Sequence, residues 1–287
     1  MSLKILVTGG NGRMGRCITE GLRASGYDVI STSRTPNEEL GISRLDIRDA
    51  KACVEAFRGV DTVIHMAFYL RNDKFHEEIV PTNIVGTYNV FEAARANGVK
   101  RVIFGSSNHV VGFYKRTDEL RDDIMQRPDS PYGLSKGFCE LCGRYYSDRY
   151  GISVINVRIG SFTFDGLPTS LRTSKLWLSR DDTQQLFQKC VEADPAHKFL
   201  TIYGVSGNDG CYFDIAGLKD LIGYVPRDNG ADHLAHALEK NMYGGADDCA
   251  FIGGAYVTFD SGTGKYPTEV METLLRAHGA NENEEGS

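Results

Sequence analysis

The first strand-and-turn of the chain constrains its fold more than any other stretch. Residues 4–8 are a short apolar run, and they lead directly into Gly9-Gly10-Asn11-Gly12-Arg13-Met14-Gly15. Met14, Ile18 and Leu22 then recur at helical spacing until Gly26 ends the pattern. A strand, a glycine turn and a helix in that order begin a βα unit, whose next strand must run parallel to the first. The glycine spacing G-x-x-G-x-x-G fits the physical needs of a dinucleotide turn. The first glycine permits the tight bend, the second lets backbone approach a pyrophosphate, and the third lets the helix pack against the strand. The helix then points its positive dipole end at the phosphates. Gly9, Asn11, Gly12, Arg13, Met14 and Gly15 are therefore the expected cradle of a cofactor.

The rhythm continues. Strand-like runs fall at 29–32, 43–47, 61–65, 102–104 and 154–158, separated by helical patterns at 50–57, about 76–97 and 132–150. This order predicts an α/β fold: a doubly wound parallel sheet, Rossmann-like, over residues 1–160. After Ser161 the rhythm breaks. Residues 162–176 read as loop, a helix starts near Ser179 or Asp182 and runs to about Ala193, and a strand follows at 199–203. Short helices are expected at 215–221 and 231–238, a glycine-rich stretch at 244–265 and a helical pattern at 269–278. We read 161–280 as a small C-terminal substrate lobe interleaved with the core, and 281–287 as a disordered polar tail.

Composition narrows the function. The net charge is −6 and no basic block occurs, so nucleic-acid binding has no electrostatic support. No apolar run approaches the length of a membrane span, which points to a cytoplasmic protein with no membrane partner. The seven cysteines are odd in number and scattered, as expected of reduced, buried thiols. Cys139-x-x-Cys142 lacks a second ligand pair, so it reads as core packing and no metal is expected.

One pair carries chemistry. Tyr132 and Lys136 lie four residues apart, one helical turn on the same face. A lysine ammonium beside a phenol favours the phenolate and lowers its pKa, and a phenolate can take a proton from an alcohol. The hydroxyl of Ser107, from the end of the fifth strand, would orient that alcohol. The cofactor contacts continue along the sheet edge. Where an NAD-specific enzyme carries an acidic residue, this chain has Ser31-Thr32-Ser33-Arg34. Ser33 and Arg34 suit a 2′-phosphate, so NADP is favoured over NAD; the alternative is a solvated Arg34 with NAD accepted. Asp46 and Ile47 are placed at the adenine, and the run Met66-Ala67-Phe68 above the cofactor. Asn83 is counted with these contacts, although it also reads as a bridge to the Tyr132 helix or as a surface residue. His65 reads as an interior histidine.

Several runs together carry a resemblance. They are Ser106-Ser107-Asn108-His109-Val110-Val111-Gly112, Tyr132-Gly133-Leu134-Ser135-Lys136, Val157-Arg158-Ile159-Gly160-Ser161 and Trp177-Leu178-Ser179-Arg180-Asp181-Asp182. With the glycine turn they resemble the extended short-chain dehydrogenase/reductase superfamily over about residues 3–230. More narrowly, they look like uronate dehydrogenases and the related aldose and glucose-6-phosphate dehydrogenases. The resemblance implies oxidation of the C1 hydroxyl of a cyclic sugar to the lactone. It implies Tyr132 as base, Lys136 on the nicotinamide ribose, Ser107 rather than Ser106 on the substrate hydroxyl, and Ile159 at the cofactor. Asn108, His109, Ser161 and Arg172 would contact the sugar. Arg172 would bind an anionic group, or else be a surface arginine beside a neutral aldose. A homodimer or higher oligomer through helices 76–97 and 132–150 is implied as well. Three features depart from the group: Leu70 stands where a serine is usual, the acid after the second strand is missing, and residues 244–287 run past the usual ending. The competing readings are a sugar-nucleotide epimerase or dehydratase of the same superfamily and a non-catalytic NADP-sensing protein.

Overall fold

The computed structural model describes residues 3–163, 166–241 and 250–258. Seven parallel strands make one sheet in the order β3-β2-β1-β4-β5-β6-β7. They are β1 (Lys4–Thr8), β2 (Asp28–Ser33), β3 (Ile42–Arg44), β4 (Thr62–His65), β5 (Arg101–Ser107), β6 (Ser153–Ile159) and β7 (Phe199–Gly204). The order reverses between β1 and β4. At such a switch point the flanking crossovers depart to opposite faces and leave a crevice at the strands' carboxyl ends. The expected doubly wound sheet is thus what the chain forms.

Successive strand residues point to opposite faces, and the core divides accordingly. Ile5 and Val7 join Ile18 and Leu22 of α1 (Arg13–Ala24) and Leu186 and Phe187 of α6 (Arg180–Glu192) on one side. Leu6 faces the other side, with Phe57 beyond the end of α2 (Ala50–Ala56), Val90 and Phe91 of α3 (Gly86–Ala96) and Tyr146 of α4 (Pro131–Tyr150). Buried Arg101 ties the sheet to the end of α6. Its guanidinium donates to the carbonyls of Cys190, Val191, Ala193 and Asp194 at 2.8–3.1 Å, groups that a helix end leaves unpaired.

Three local expectations need correction. The third strand stops at Arg44 instead of reaching Ile47, because Asp46 turns back onto Arg48 and Asp49 caps α2. The pattern at 76–97 is two elements. Phe75–Val85 is a π-helix containing Pro81, and α3 follows it. A proline inside a helix removes one N–H and clashes with the turn before it, so the ordinary register does not pass through. Residues 162–176 are not all loop. Ser170 and Thr173 cap each other's backbone to start α5 (Leu171–Leu176).

Beyond β7 the chain forms α7 (Leu218–Ile222) and α8 (Leu234–Lys240). Residues 250–258 return to the core: Phe251 bridges Lys115, and the N–H groups of Ile252 and Gly253 donate to the Tyr114 and Gly112 carbonyls, each at 2.9 Å. The helical pattern at 269–278, the tail at 281–287 and most of the glycine-rich stretch lie outside the described residues. Among the described residues no helix is long and apolar enough to cross a membrane.

Candidate active site

A cleft of about 670 Å³ opens at the carboxyl ends of β1, β4, β5 and β6. One end is the glycine turn. Gly9 has φ 74°, a conformation that L side chains avoid, and a Cβ there would stand 2.6 Å from the Ala67 nitrogen. A side chain on Gly15 would collide with the Gly9 carbonyl. Gly12 caps α1 in an extended conformation without a side-chain hydrogen bond, and a helix amino end of this kind suits a phosphate. Asn11, Arg13, Met14, Met66 and Ile159 line the same cleft. Backbone room, a helix amino end and length together fit a dinucleotide.

The remaining predicted cofactor residues are placed differently. Ser33, Arg34, Asp46, Ile47, Ala67 and Asn83 do not form the cleft wall. Arg34 is well exposed at the end of β2, with Glu78 at 3.7 Å. Asp46 is gripped by Arg48, whose guanidinium holds its carboxyl below the usual range. Ile47 is buried, and its carbonyl accepts from Asn89 at 3.0 Å. The Ala67 N–H is tied to the Thr8 hydroxyl at 3.2 Å. Asn83 is the bridge to the Tyr132 helix that one of its readings gave. Fully buried, it accepts from the Tyr69 N–H at 2.8 Å and donates to the Tyr69 carbonyl at 3.0 Å and the Ser135 hydroxyl at 3.1 Å. It binds the loop after β4 to α4. His65 is interior, held between the hydroxyls of Thr8 and Thr87 at 2.8 and 3.0 Å. Burial keeps it neutral by lowering its pKa to about 3.

Tyr132 and Lys136 line the cleft together with Ser107. Pro131 opens α4, Ser130 caps it by accepting from the Gly133 N–H at 3.0 Å, and the Tyr132 N–H donates to Asn72 Oδ1 at 3.1 Å. Lys136 is buried. Its ammonium donates to the Gly105 carbonyl and lies 3.5 Å from the centre of the Phe68 ring and 5.7 Å from that of Tyr132. Burial lowers the Lys136 pKa to about 7, opposed by Cys139 and Glu140. Burial also pushes the Tyr132 phenol well above its ordinary value, opposed by the Ser107 hydroxyl. The ammonium is directed at Gly105 and Phe68, and desolvation outweighs it.

β5 runs to Ser107, so its last two residues face apart. The Ser106 hydroxyl donates to Glu140 at 2.6 Å, inside a buried network in which Arg158 also grips Glu140. Ser107 accepts from the His109 N–H at 3.2 Å and borders the cleft. Asn108 is satisfied with its amide nitrogen donating to the Ile159 and Gly160 carbonyls at 3.3 and 3.2 Å. Its oxygen then accepts from Arg172 Nη2 at 3.0 Å. Arg172 Nε donates to the Ile252 carbonyl at 2.7 Å. Ser161 and Arg172 line the same cleft, and Arg172 is buried instead of lying on the surface.

Asn72, Asp129 and Tyr256 escaped the sequence reading, and Phe68 was placed above the cofactor without its contact to Lys136. Asn72 holds the Tyr132 backbone, and Phe68 seats Lys136. Asp129 lies 2.7 Å from His109 Nδ1, and Tyr256 stacks on His109 with ring centres 4.0 Å apart. Only Asp129 carried a signal, as an acid in the turn before Tyr132.

Comparison with known proteins agrees with this geometry. Residues 5–164 match the family model described as the NAD dependent epimerase/dehydratase family. The L-arabinose 1-dehydrogenase (NAD(P)(+)) of Haloferax volcanii is 37% identical over 249 residues, covering 79% of this chain and 98% of that protein. The uronate dehydrogenase of Pseudomonas putida is 37% identical over 262 residues, covering 88% and 95%. A crystal structure of a uronate dehydrogenase mutant from Agrobacterium tumefaciens, complexed with NAD, superposes with a TM-score of 0.81 at 32% identity, covering 90% of this chain and 97% of that one. With its glycine cradle, its Ser107, Tyr132 and Lys136 in one cleft and these relatives, the chain belongs to the NAD dependent epimerase/dehydratase family, within the extended short-chain dehydrogenase/reductases.

Proposed function

We propose that this protein is a sugar dehydrogenase that oxidises the C1 hydroxyl of a free cyclic sugar to the lactone. The observation that carries this reading is the meeting of Ser107, Tyr132 and Lys136 in one cleft with the glycine cradle. A bound NAD(P) supplies the hydride acceptor, and its oxidised ring is positively charged. Ser107 and Tyr132 hydrogen-bond the C1 hydroxyl, and Tyr132 takes its proton as base. Lys136 favours the phenolate while it is charged. Ser161, Arg172 and Tyr256 enclose the rest of the sugar, giving the lobe from residue 161 the substrate-holding role.

NADP is the preferred cofactor in this reading. Exposed Arg34 follows Ser33 at the end of β2, and its fork suits a 2′-phosphate. The protein works as a homodimer. Leu134, Phe138, Leu141 and Tyr145 form an exposed apolar stripe on α4, and Tyr88 of α3 adds to it. Exposed apolar area of this kind marks a protein interface. The six cysteines among the described residues are free thiols, which fits a reducing, cytoplasmic setting.

The test is a reduced-cofactor absorbance assay with NAD and NADP. The panel is glucuronate, galacturonate, glucose, galactose, arabinose, xylose and glucose 6-phosphate. Turnover with at least one sugar is expected, and silence across the panel would sink the proposal.

A further inference from the structure

Asp129 takes no part in the proton abstraction above, yet three parts of the chain make room for it. Its side chain is fully buried, and a buried carboxylate is costly unless its oxygens accept hydrogen bonds. Oδ1 accepts from the Ser130 hydroxyl at 2.7 Å, and Oδ2 lies 2.7 Å from His109 Nδ1. Gly112 follows β5, and Gly253 belongs to the segment that returns from the lobe. A side chain on either would overlap Asp129 Oδ2. The two glycines are joined directly, Gly253 N–H to Gly112 carbonyl at 2.9 Å.

This arrangement decides what His109 offers the cleft. A carboxylate oxygen accepts, so the imidazole hydrogen belongs on Nδ1. In a neutral imidazole the other nitrogen, Nε2, is then a bare acceptor. The ring has little freedom to turn, with Tyr256 stacked on it and the Tyr132 ring 5.9 Å away at 73°. His109 borders the cleft, whereas Asp129 lies behind it.

We propose that Asp129 is a positioning residue: it fixes His109 with its hydrogen on Nδ1, so that Nε2 accepts a hydrogen bond from a substrate hydroxyl. This deepens the sugar-dehydrogenase reading and rests on it, since a polyol is the substrate class whose hydroxyls donate in this way. A bare Nε2 also repels a carboxylate oxygen, so this wall reads ring hydroxyls and leaves any anionic group of the sugar to another wall.

The test joins spectroscopy to kinetics on the full chain. Long-range nitrogen–proton correlation spectra report which imidazole nitrogen carries hydrogen, and His109→Gln assigns the His109 signals among the seven histidines. Wild type should show hydrogen on Nδ1. Asp129→Ala should shift the hydrogen toward Nε2 and lower kcat/KM for the sugar about 10–100-fold, as loss of a histidine's orienting partner does elsewhere. Cofactor affinity should stay within about threefold, because Asp129 does not line the cleft that holds the glycine cradle. Asp129→Asn keeps an oxygen acceptor without the charge and should give a smaller loss; it carries the test if the alanine variant does not fold. The double variant Asp129→Ala/His109→Gln should be no worse than His109→Gln alone. Hydrogen on Nε2 in wild type, or fully additive losses, overturns the proposal. Wild type with hydrogen on Nδ1 but no turnover of any sugar would instead remove the sugar reading and leave the positioning intact.

Discussion

Tyr132 is half-buried at the cleft beside a lysine whose charge is costly to bury. Tyr132→Phe removes the base and leaves the cradle untouched. It should lower kcat about 10²–10⁴-fold, with cofactor affinity, read by fluorescence titration, unchanged; retained turnover would refute the role. The Lys136 prediction concerns stability. Its folded pKa is about 7 against an ordinary 10.5, so between those values the unfolded chain binds more protons and stability rises with pH. Below about pH 7 the folded state must bury the charge. Lys136→Met should therefore raise the Tm of the cofactor-free protein at pH 6, by about 3 °C or more, and by less at pH 9. Equal shifts at both pH values would contradict this. Arg34→Ala should weaken NADP at least about tenfold, the loss of one charge-assisted contact, and NAD by less than about threefold. Equal weakening of both would overturn the cofactor preference. At this scale the sequence spoke through spacing. Tyr132-x-x-x-Lys136 and Ser107 were legible because one helical turn and one strand end place them. Asp129, Asn72 and Phe68 act across loops, where spacing carries no distance, and the direction of the Lys136 ammonium depends on an aromatic ring 68 positions earlier in a different element.

The elements that frame the cleft were legible wherever a local rule governs them. Strand, glycine turn and helix at Lys4–Ala24 follow from periodicity and backbone room, and the alternation of Ile5, Leu6 and Val7 across the sheet follows from the pleat. The Phe75–Val85 π-helix was not legible, because apolar spacing alone does not show where Pro81 breaks the register. That irregular turn is what carries Asn83 beneath the active-site loop. Asn83→Ala would leave the Tyr69 backbone N–H and carbonyl, both held by that side chain, without these partners, at a cost of about 1–3 kcal/mol for a buried unpaired group. Tm should fall by several degrees, and kcat/KM should fall with it as the loop bearing Phe68 loosens from α4. A variant with wild-type melting and turnover would show that the clamp is dispensable.

On the scale of the whole molecule, two surfaces meet demands that no single element meets. One is the stripe on α4, where Leu141 is 62% exposed and Tyr145 53%. Leu141→Glu places a charge in its middle. Light scattering should find a dimer for the wild type and a monomer for the variant, with the secondary-structure signal retained; a monomeric wild type at micromolar concentration would refute the interface. The other is the cleft wall that the proposed reaction assigns to the sugar, whose members come from three separate stretches of the described chain. His109 follows β5, Arg172 opens the lobe, and Tyr256 belongs to the stretch that glycine content made hardest to interpret. A sheet is legible in sequence because neighbouring strands share local rules; a wall drawn from three segments obeys none of them.

The returning segment at residues 250–258 has a consequence for the order in which the protein is made. Synthesis runs from the amino end. Every element packed around the glycine turn, from β1 to α6, is translated before Gly253 and Tyr256. A nascent chain that ends after α6 has the strands and helices around that turn and lacks the segment that covers His109. Competence arrives late, with the segment that docks against Gly112 and covers His109.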